Sequence, residues 1–234
     1  MQENILGKKL LIVVAHPDDE SFLAAGTLHL NHREKGTNYL LCASKGELGV
    51  YHLKARVSET KIKTIRKGEL MRVAKYLKVH TLKILNLPDG ALHRHKHAFE
   101  KEEKKFILRC KPYYIVGFGE NGYTCHKDHI AAGEVSRKLG RVCHIPFVEF
   151  VRPPRAACGN LDKYLVGKRQ TGNYRDKNTN TVKPNIKIKI NPVIKLKALS
   201  MHKSQFAGLN PYKTFPQKVA DHILANEYFR VSKF

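Results

Sequence analysis

Leu10-Leu11-Ile12-Val13-Val14-Ala15 is an unbroken apolar run that stops abruptly at His16-Pro17-Asp18-Asp19-Glu20. A run without polar alternation describes a strand covered on both faces, the condition of an inner strand in a parallel sheet. It is far shorter than the ~20 residues of a membrane span, and no small-residue cleavage site follows it as after a secretory leader. Such a strand also fixes where polar chemistry begins, because open α/β sheets bind ligands outside the carboxyl ends of their strands.

The chain continues in alternation. A helix is expected over Ser21–Glu34, a strand over Asn38–Ala43 and a loop over Ser44–Gly49. Ile62, Ile65, Leu70, Val73 and Leu77 recur at helical spacing, which predicts a helix over Glu59–Leu77. Leu82–Leu85 reads as a third strand, running into the turn signal Leu87-Pro88-Asp89-Gly90. Phe99–Cys110 reads as a helix, Tyr113–Phe118 as a strand, Ile130–Leu139 as a helix and Phe147–Val151 as a fifth strand. This order predicts an α/β fold: a Rossmann-like open, mostly parallel sheet with helices on both faces and right-handed crossovers.

The pattern changes after Arg152. Pro153-Pro154 and the polar stretch Gly167–Pro184 predict a long excursion, a lid or mobile loop. Ile186-Lys187-Ile188-Lys189-Ile190 alternates with period two, as a strand with one solvated face does. Val193–Phe206 and Gln217–Phe229 read as closing helices. The expectation is one domain over 1–234, with a Rossmann-like core at 1–151, a C-terminal elaboration at 152–234 and the mobile loop at 167–184.

Charge narrows the partners. Forty-three basic residues against 20 acidic ones give a formal charge of +23, with the excess denser toward the C-terminus. That field favours anionic partners such as a phosphorylated substrate, a phospholipid surface or nucleic acid. The lysines outnumber the arginines and are scattered, with no basic helix or aromatic RNA-binding signature. Nucleic acid is therefore disfavoured, and peripheral contact with anionic surfaces is left open. The five cysteines contain no CxxC and stand at least fifteen residues apart, against a disulfide framework or an all-thiolate zinc site. A reducing, cytoplasmic setting is expected. A dinucleotide enzyme is disfavoured too, since the turn after the first strand lacks GxGxxG and carries three carboxylates that would repel a pyrophosphate.

With strand order 3-2-1-4-5, the segment His16–Glu20 after strand one meets His126-Lys127-Asp128-His129 after strand four. A His, an Asp and a second His from such loops make a three-ligand site with open positions, as in catalytic rather than structural zinc. Asp18 beside the metal is placed to take a proton from water. Plainer readings stand beside this one. His16 and Asp19 alone suit a helix-start cap, Asp89 suits a Pro-Asp-Gly turn, Arg66 suits a solvated helix face, and His93, His95 and His97 suit a surface loop. His16, Asp18 and His129 also fit the two-His-one-carboxylate triad of an iron-dependent oxygenase, a chemistry usually carried on a β-sandwich.

Six blocks in order resemble the PIG-L/LmbE-like zinc-dependent N-acetylglucosaminyl deacetylases: Ala15-His-Pro-Asp-Asp-Glu20, Lys45-Gly-Glu-Leu-Gly49, Arg66-Lys-Gly-Glu-Leu70, Leu87-Pro-Asp-Gly90, His126-x-Asp-His129 and His202-Lys-Ser-Gln205. The resemblance implies a hydrolase that removes an N-acetyl group from an N-acetylglucosamine-type substrate. It implies Zn2+ on His16, Asp19 and His129, with Fe2+ as the alternative occupant. It makes Asp18 the general base and gives His126 the oxyanion or the leaving amine. Asp128 would orient a histidine, and Arg66 and Asp89 would line the substrate pocket. The implied partner is a small-molecule amino-sugar conjugate, for which the chain's charge favours an anionic form. Lys127 replaces the family's usual Pro, and the atypical loop Glu120–Cys125 leaves Tyr123 without a counterpart. The competing classes are the iron oxygenase and a non-catalytic binder of nucleic acid or anionic membrane.

Overall fold

The computed structural model describes residues 4–49, 57–159 and 182–232. Seven strands, β1 (Lys9–Val14), β2 (Thr37–Ser44), β3 (Val79–Leu87), β4 (Tyr114–Phe118), β5 (Phe147–Phe150), β6 (Ile186–Lys189) and β7 (Asn226–Ser232), form one sheet in the order β3-β2-β1-β4-β5-β7-β6. The first five are mutually parallel, while β7 runs antiparallel to both β5 and β6. The chain winds outward from β1 to β3 and then returns to the other side of β1 with β4. The crevice between the carboxyl ends of β1 and β4 is thus the switch point of this α/β sheet.

Burial explains the strand sequences. Leu10 to Val14 of β1 are all buried, whereas β6 alternates buried Ile with exposed Lys. The exposed lysines also protect that free edge from pairing with other chains. The helices are α1 (Asp19–Leu23), α2 (Ala25–Arg33), α3 (Glu59–Tyr76), α4 (Lys96–Cys110), α5 (Gly122–Cys125), α6 (Lys127–Val142), α7 (Arg155–Cys158), α8 (Pro192–Met201), α9 (Lys203–Phe206) and α10 (Gln217–Ala225). Helix α8 packs on α2 and α3, while α4 packs on α6. Ser58 begins α3, its Oγ accepting from the Lys61 amide, and Ile62, Leu70 and Val73 face the core as their spacing predicts. Gly133 lets α6 lie directly on β4, because a Cβ there would collide with the Phe118 carbonyl.

Three expected helices differ from the structure. The helix expected over Ser21–Glu34 is two, broken at Ala24, because the Glu227 carboxylate accepts from the Gly26 and Thr27 amides and from Thr27 Oγ1 at 3.1, 2.8 and 2.6 Å. That carboxylate starts α2 afresh and is itself approached by the buried Lys195 Nζ at 3.4 Å. The expected Val193–Phe206 helix breaks at His202, whose side chain turns toward Glu20. The expected Gln217–Phe229 helix ends at Ala225, and Asn226–Ser232 is the strand β7. Ile223, Leu224 and Tyr228 keep helical spacing, but pairing with β5 and β6 overrides that local signal. The mobile loop expected at 167–184 falls outside the described residues up to 181. Among the described residues the five cysteines form no disulfide, and no helix is long and apolar enough to cross a membrane.

Candidate active site

The loop after β1 folds back on itself through Asp19. The amides of Ala15 and His16 donate to Asp19 Oδ2 at 3.1 and 2.9 Å. The same carboxylate lies between two imidazoles, with Oδ1 3.3 Å from His129 Nε2 and Oδ2 3.7 Å from His16 Nδ1. Burial would raise its pKa, but His129 and His16 override this and hold the carboxyl well below the usual range.

Both imidazoles are oriented from behind. His16 Nε2 is 3.0 Å from Asp89 Oδ1 and 3.2 Å from Asp128 Oδ2. His129 Nδ1 is 3.0 Å from the Gly122 carbonyl and 3.1 Å from Thr124 Oγ1, and its ring stacks on Phe118 at 4.1 Å. Carboxylates and carbonyls only accept, so these outer nitrogens carry protons and the inner nitrogens face Asp19. This outer hydrogen bonding is how metal-binding histidines are fixed in tautomer and direction.

The acceptors are fixed in turn. Asp128, in the first turn of α6, accepts from the Gly90 and Leu92 amides at 2.7 and 2.9 Å. Asp89 Oδ2 accepts from the Leu48 amide at 3.0 Å, and its own amide donates to Glu47 Oε1 at 3.2 Å. The Gly-Glu loop and the Pro-Asp-Gly turn therefore clamp one another over His16. Burial opposes charge on His16, yet hydrogen bonds to Asp128 and Asp89 and the charge of Asp19 raise its pKa well above the ordinary value. Asp89, despite burial, is brought down to about 2 by His16 and the Leu48 amide. The pocket thus stabilises positive charge between its carboxylates.

Asp18 is held differently. Its backbone adopts φ 122°, a region that a non-glycine residue occupies only under constraint from its surroundings. Its amide donates to Glu20 Oε2 at 3.0 Å, and Arg66 Nη2 lies 3.2 Å from its Oδ2. Arg66 also donates to the Pro17 and Gly46 carbonyls at 2.5 and 2.6 Å and is itself buried, behind Asp18. Gly46 has φ +67°, and a Cβ there would strike that guanidinium. Burial pushes the Asp18 carboxyl up to about 6, with Arg66 opposing and Asp19 adding to the rise. His126 caps α6, its Nδ1 accepting from the Asp128 amide at 3.2 Å, and its ring lies 4.9 and 5.0 Å from those of His16 and His129. Burial and those two neighbours lower its pKa to about 4.

Among the described residues, two sets bring donor atoms within 4.8 Å of one another: His16, His126 and His129, and His16, Asp89 and Asp128. Asp19 touches His16 and His129 of the first set. Mixed imidazole and carboxylate donors with pre-oriented rings fit Zn2+, and Fe2+ as well. The structure therefore gathers His16, Asp18, Asp19, Asp89, His126, Asp128 and His129 into one crevice, with Arg66 behind it.

Two further groups complete the crevice, the first of them the structural partners Glu69, His202 and Gln205 together with Glu20. Glu20 is fully buried, and its Oε1 accepts from Ser21 Oγ at 2.7 Å and meets His202 Nε2 at 2.8 Å. Glu69 accepts from the amide and hydroxyl of Ser204 at 2.8 and 2.6 Å, and Gln205 donates to the Gly49 carbonyl at 2.8 Å, so the block His202–Gln205 braces the crevice. The second group walls a cavity of about 220 Å³ beside Asp18, Asp19 and His129, formed chiefly by Phe22, Leu23, Tyr123, Tyr212 and Ile223. Phe22-Leu23, immediately after the acidic loop, was the only local hint. Behind His129 a row of rings runs outward: Phe118 to Phe150 at 5.4 Å and Phe150 to Phe229 of β7 at 6.0 Å.

Residues 11–139, more than half of the chain, match the family described as PIG-L, GlcNAc-PI de-N-acetylase. The chain belongs to the PIG-L family. Over 140 residues it is 33% identical to the Bacillus subtilis (strain 168) protein named "Probable N-acetyl-alpha-D-glucosaminyl L-malate deacetylase 2", a match spanning 56% of this chain and 61% of that protein. The like-named Bacillus anthracis protein is 28% identical over 211 residues, 86% of this chain and 82% of the relative. The N,N'-diacetylchitobiose deacetylase from Pyrococcus horikoshii superposes with a TM-score of 0.65 at 20% identity, covering 96% of this chain and 84% of that one. The A40926 pseudoaglycone deacetylase Dbv21 does so at 0.72 and 17% identity, covering 97% and 98%. At such identities the likeness shows the fold alone. GalB, a 4-carboxy-2-hydroxymuconate hydratase, shares it at a TM-score of 0.58, so in this PIG-L chain the chemistry must be argued from the site.

Proposed function

We propose that this PIG-L family chain hydrolyses the N-acetyl group of an N-acetylglucosamine-type conjugate. One juxtaposition carries the reading: Asp19 between two pre-oriented histidines, with Asp18 next to it as a separate carboxyl raised to about 6. Two adjacent acids in different environments are what a division of labour between ligand and base requires.

His16, Asp19 and His129 would hold the metal, and Zn2+ or Fe2+ bound there would supply a Lewis acid that makes water nucleophilic at neutral pH and polarises the amide carbonyl. Asp18 takes the proton of the attacking water; a base with a pKa near 6 is ionised at neutral pH and still basic enough to do so. Arg66 holds the Asp18 carboxylate in place. His126 borders the same crevice; neutral there, with Nδ1 accepting from the Asp128 amide, it offers its other ring nitrogen's N–H to the oxyanion. Asp89 and Asp128 keep the proton of His16 on Nε2, leaving Nδ1 as the donor. The substrate is an amino-sugar conjugate, an anionic one by the +23 charge of the chain, and the setting is cytoplasmic. PIG-L membership favours this reading over the iron oxygenase and the non-catalytic binder.

The test is acetate release from N-acetylglucosamine, chitooligosaccharides and inositol-, malate- and phosphatidylinositol-linked N-acetylglucosamine. Release should stop with a chelator and return with zinc. No release from any of them, by protein carrying one metal per chain, would refute the assigned reaction.

A further inference from the structure

We propose that the face formed at the amino ends of β1–β5 docks the protein on a bilayer of anionic phospholipid, with the catalytic crevice turned toward the aqueous phase. The inference goes beyond the hydrolase reading and stands independently of it.

Strand pairing brings five turns to one end of the sheet. The Thr37 amide donates to the Lys8 carbonyl at 3.1 Å, the Tyr113 amide to the Lys9 carbonyl at 2.8 Å and the Ile115 amide to the Pro146 carbonyl at 3.2 Å. Asn38 is in register with Leu10 on one side and Val79 on the other. Residues 8–9, 33–35, 75–78, 109–111 and 141–144 therefore share the end opposite the crevice. They carry nine Lys or Arg side chains, all exposed, against one acid, Glu34. Among the described residues none of the nine forms an ion pair. The left-handed residues that end α2, α3, α4 and α6 are Lys35, Lys78, Lys111 and His144, with φ of 62°, 59°, 46° and 54°. Gly or Asn is the usual choice there, so backbone geometry alone does not account for the basic residues. Lysines do complement helix C-termini, but four such ends supply roughly −2 charges in all, against +8 from the side chains of the five turns. The surplus is left for an external anion.

Apolar side chains on the same face select the kind of anion. Among the described residues seven large apolar side chains stand exposed, and Leu108, Tyr113 and Val142 are three of them. Leu108 precedes Arg109, Val142 follows Arg141, and the Tyr113 ring centre lies 5.4 Å from Lys8 Nζ. Cations interleaved with aliphatic and aromatic groups suit a lipid headgroup layer, where the cations meet phosphates and the apolar groups reach the acyl boundary. A nucleic acid would leave Leu108 and Val142 against phosphate and water. The helices also meet this face end-on, so none lies along it to enter a groove.

The experiment is co-sedimentation of the full chain with vesicles of phosphatidylcholine, alone or with ~30% phosphatidylserine, at ~0.1 and ~0.5 M salt, beside titration of a duplex DNA. Binding to the serine-containing vesicles should exceed binding to phosphatidylcholine at least ~tenfold at low salt and fall at high salt. Each basic side chain at an anionic surface contributes about fivefold in partitioning, so Lys35→Gln, Lys78→Gln and Lys111→Gln together should weaken binding ~100-fold. The same exchange at Lys61, Lys101 and Lys218, exposed lysines outside the five turns, should cost less than ~tenfold. Leu108→Ser with Val142→Ser should weaken vesicle binding several-fold and leave DNA binding unchanged. Thermal unfolding checks that each variant folds; if the lysine variant does not, the salt series and the apolar pair decide. Equal sedimentation with both kinds of vesicle overturns the inference by removing the lipid, and equal losses from the two lysine sets overturn it by removing the face. Tighter binding to the duplex, lost with Lys35, Lys78 and Lys111 and untouched by the apolar pair, overturns it by assigning the face to nucleic acid. None of these residues lies in the crevice, so binding is read independently of acetate release.

Discussion

Glu103 lies on α4 with no exposure, and neither of its carboxylate oxygens completes a hydrogen bond. Burial pushes its carboxyl up to about 8, against the pull of Ser136 on α6 and with added repulsion from Glu100. In the unfolded chain it titrates at about 4.5. Between those values the folded state keeps a proton that the unfolded state releases. Stability therefore falls as pH rises through this window, by ~1.4 kcal/mol per unit, and the loss levels off above pH 8. From pH 5 to 7 this one group removes about 2–3 kcal/mol. Glu103→Gln keeps the shape and deletes the titration, so the variant should lose about 2–3 kcal/mol less than wild type over the same interval. Urea unfolding of both proteins at pH 5, 6, 7 and 8, at equal metal loading, measures this. The crevice groups titrate alike in both proteins and cancel in the difference. Identical pH slopes would refute the reasoning, because Glu103 would then be ionised in the fold. The result bears on the site, since α4 supports α6, which carries Asp128 and His129.

Asp19→Asn should lose both bound metal and activity, whereas Asp18→Asn should keep the metal, as measured by plasma mass spectrometry, and lose ~10²–10⁴-fold in kcat. Full activity in Asp18→Asn would remove it as the base. Arg66→Met takes a cation from beside Asp18, so the acidic limb of the kcat/KM profile should move up by at least about one pH unit; an unmoved limb would show that Arg66 does not act on the base. Anionic conjugates should be turned over faster than neutral ones at low salt, with the advantage shrinking at ~0.5 M salt, and equal rates throughout would detach the +23 charge from substrate capture.

Features with local causes were legible in the sequence. The unbroken run of β1, the alternation of β6 and the acidic loop at a strand end each follow from neighbours along the chain. The meeting of His16 with His129 followed from strand order, a general property of this topology. What escaped depends on distant partners. Glu20 meets His202 across 182 positions, and Glu227 starts α2 from 201 positions away, so neither break in a helix had a local signal. β7 was hidden because Ile223, Leu224 and Tyr228 continue a helical rhythm that only pairing with β5 and β6 interrupts. The apolar cavity was invisible because its walls come from separate segments, at Phe22, Tyr123, Tyr212 and Ile223, that meet only in the folded chain.

The row of rings from Phe229 through Phe150 and Phe118 to His129 sets a timetable for the nascent chain. Residues 1–151 can leave the ribosome and begin to collapse, but the outer edge of β5 stays bare until β7 is synthesised, some 80 residues later. During that interval the exposed edge invites pairing with other chains, and closing so long a loop is slow. The same late strand backs the ring that holds His129. The support behind His129 is complete only once β7 has paired with β5.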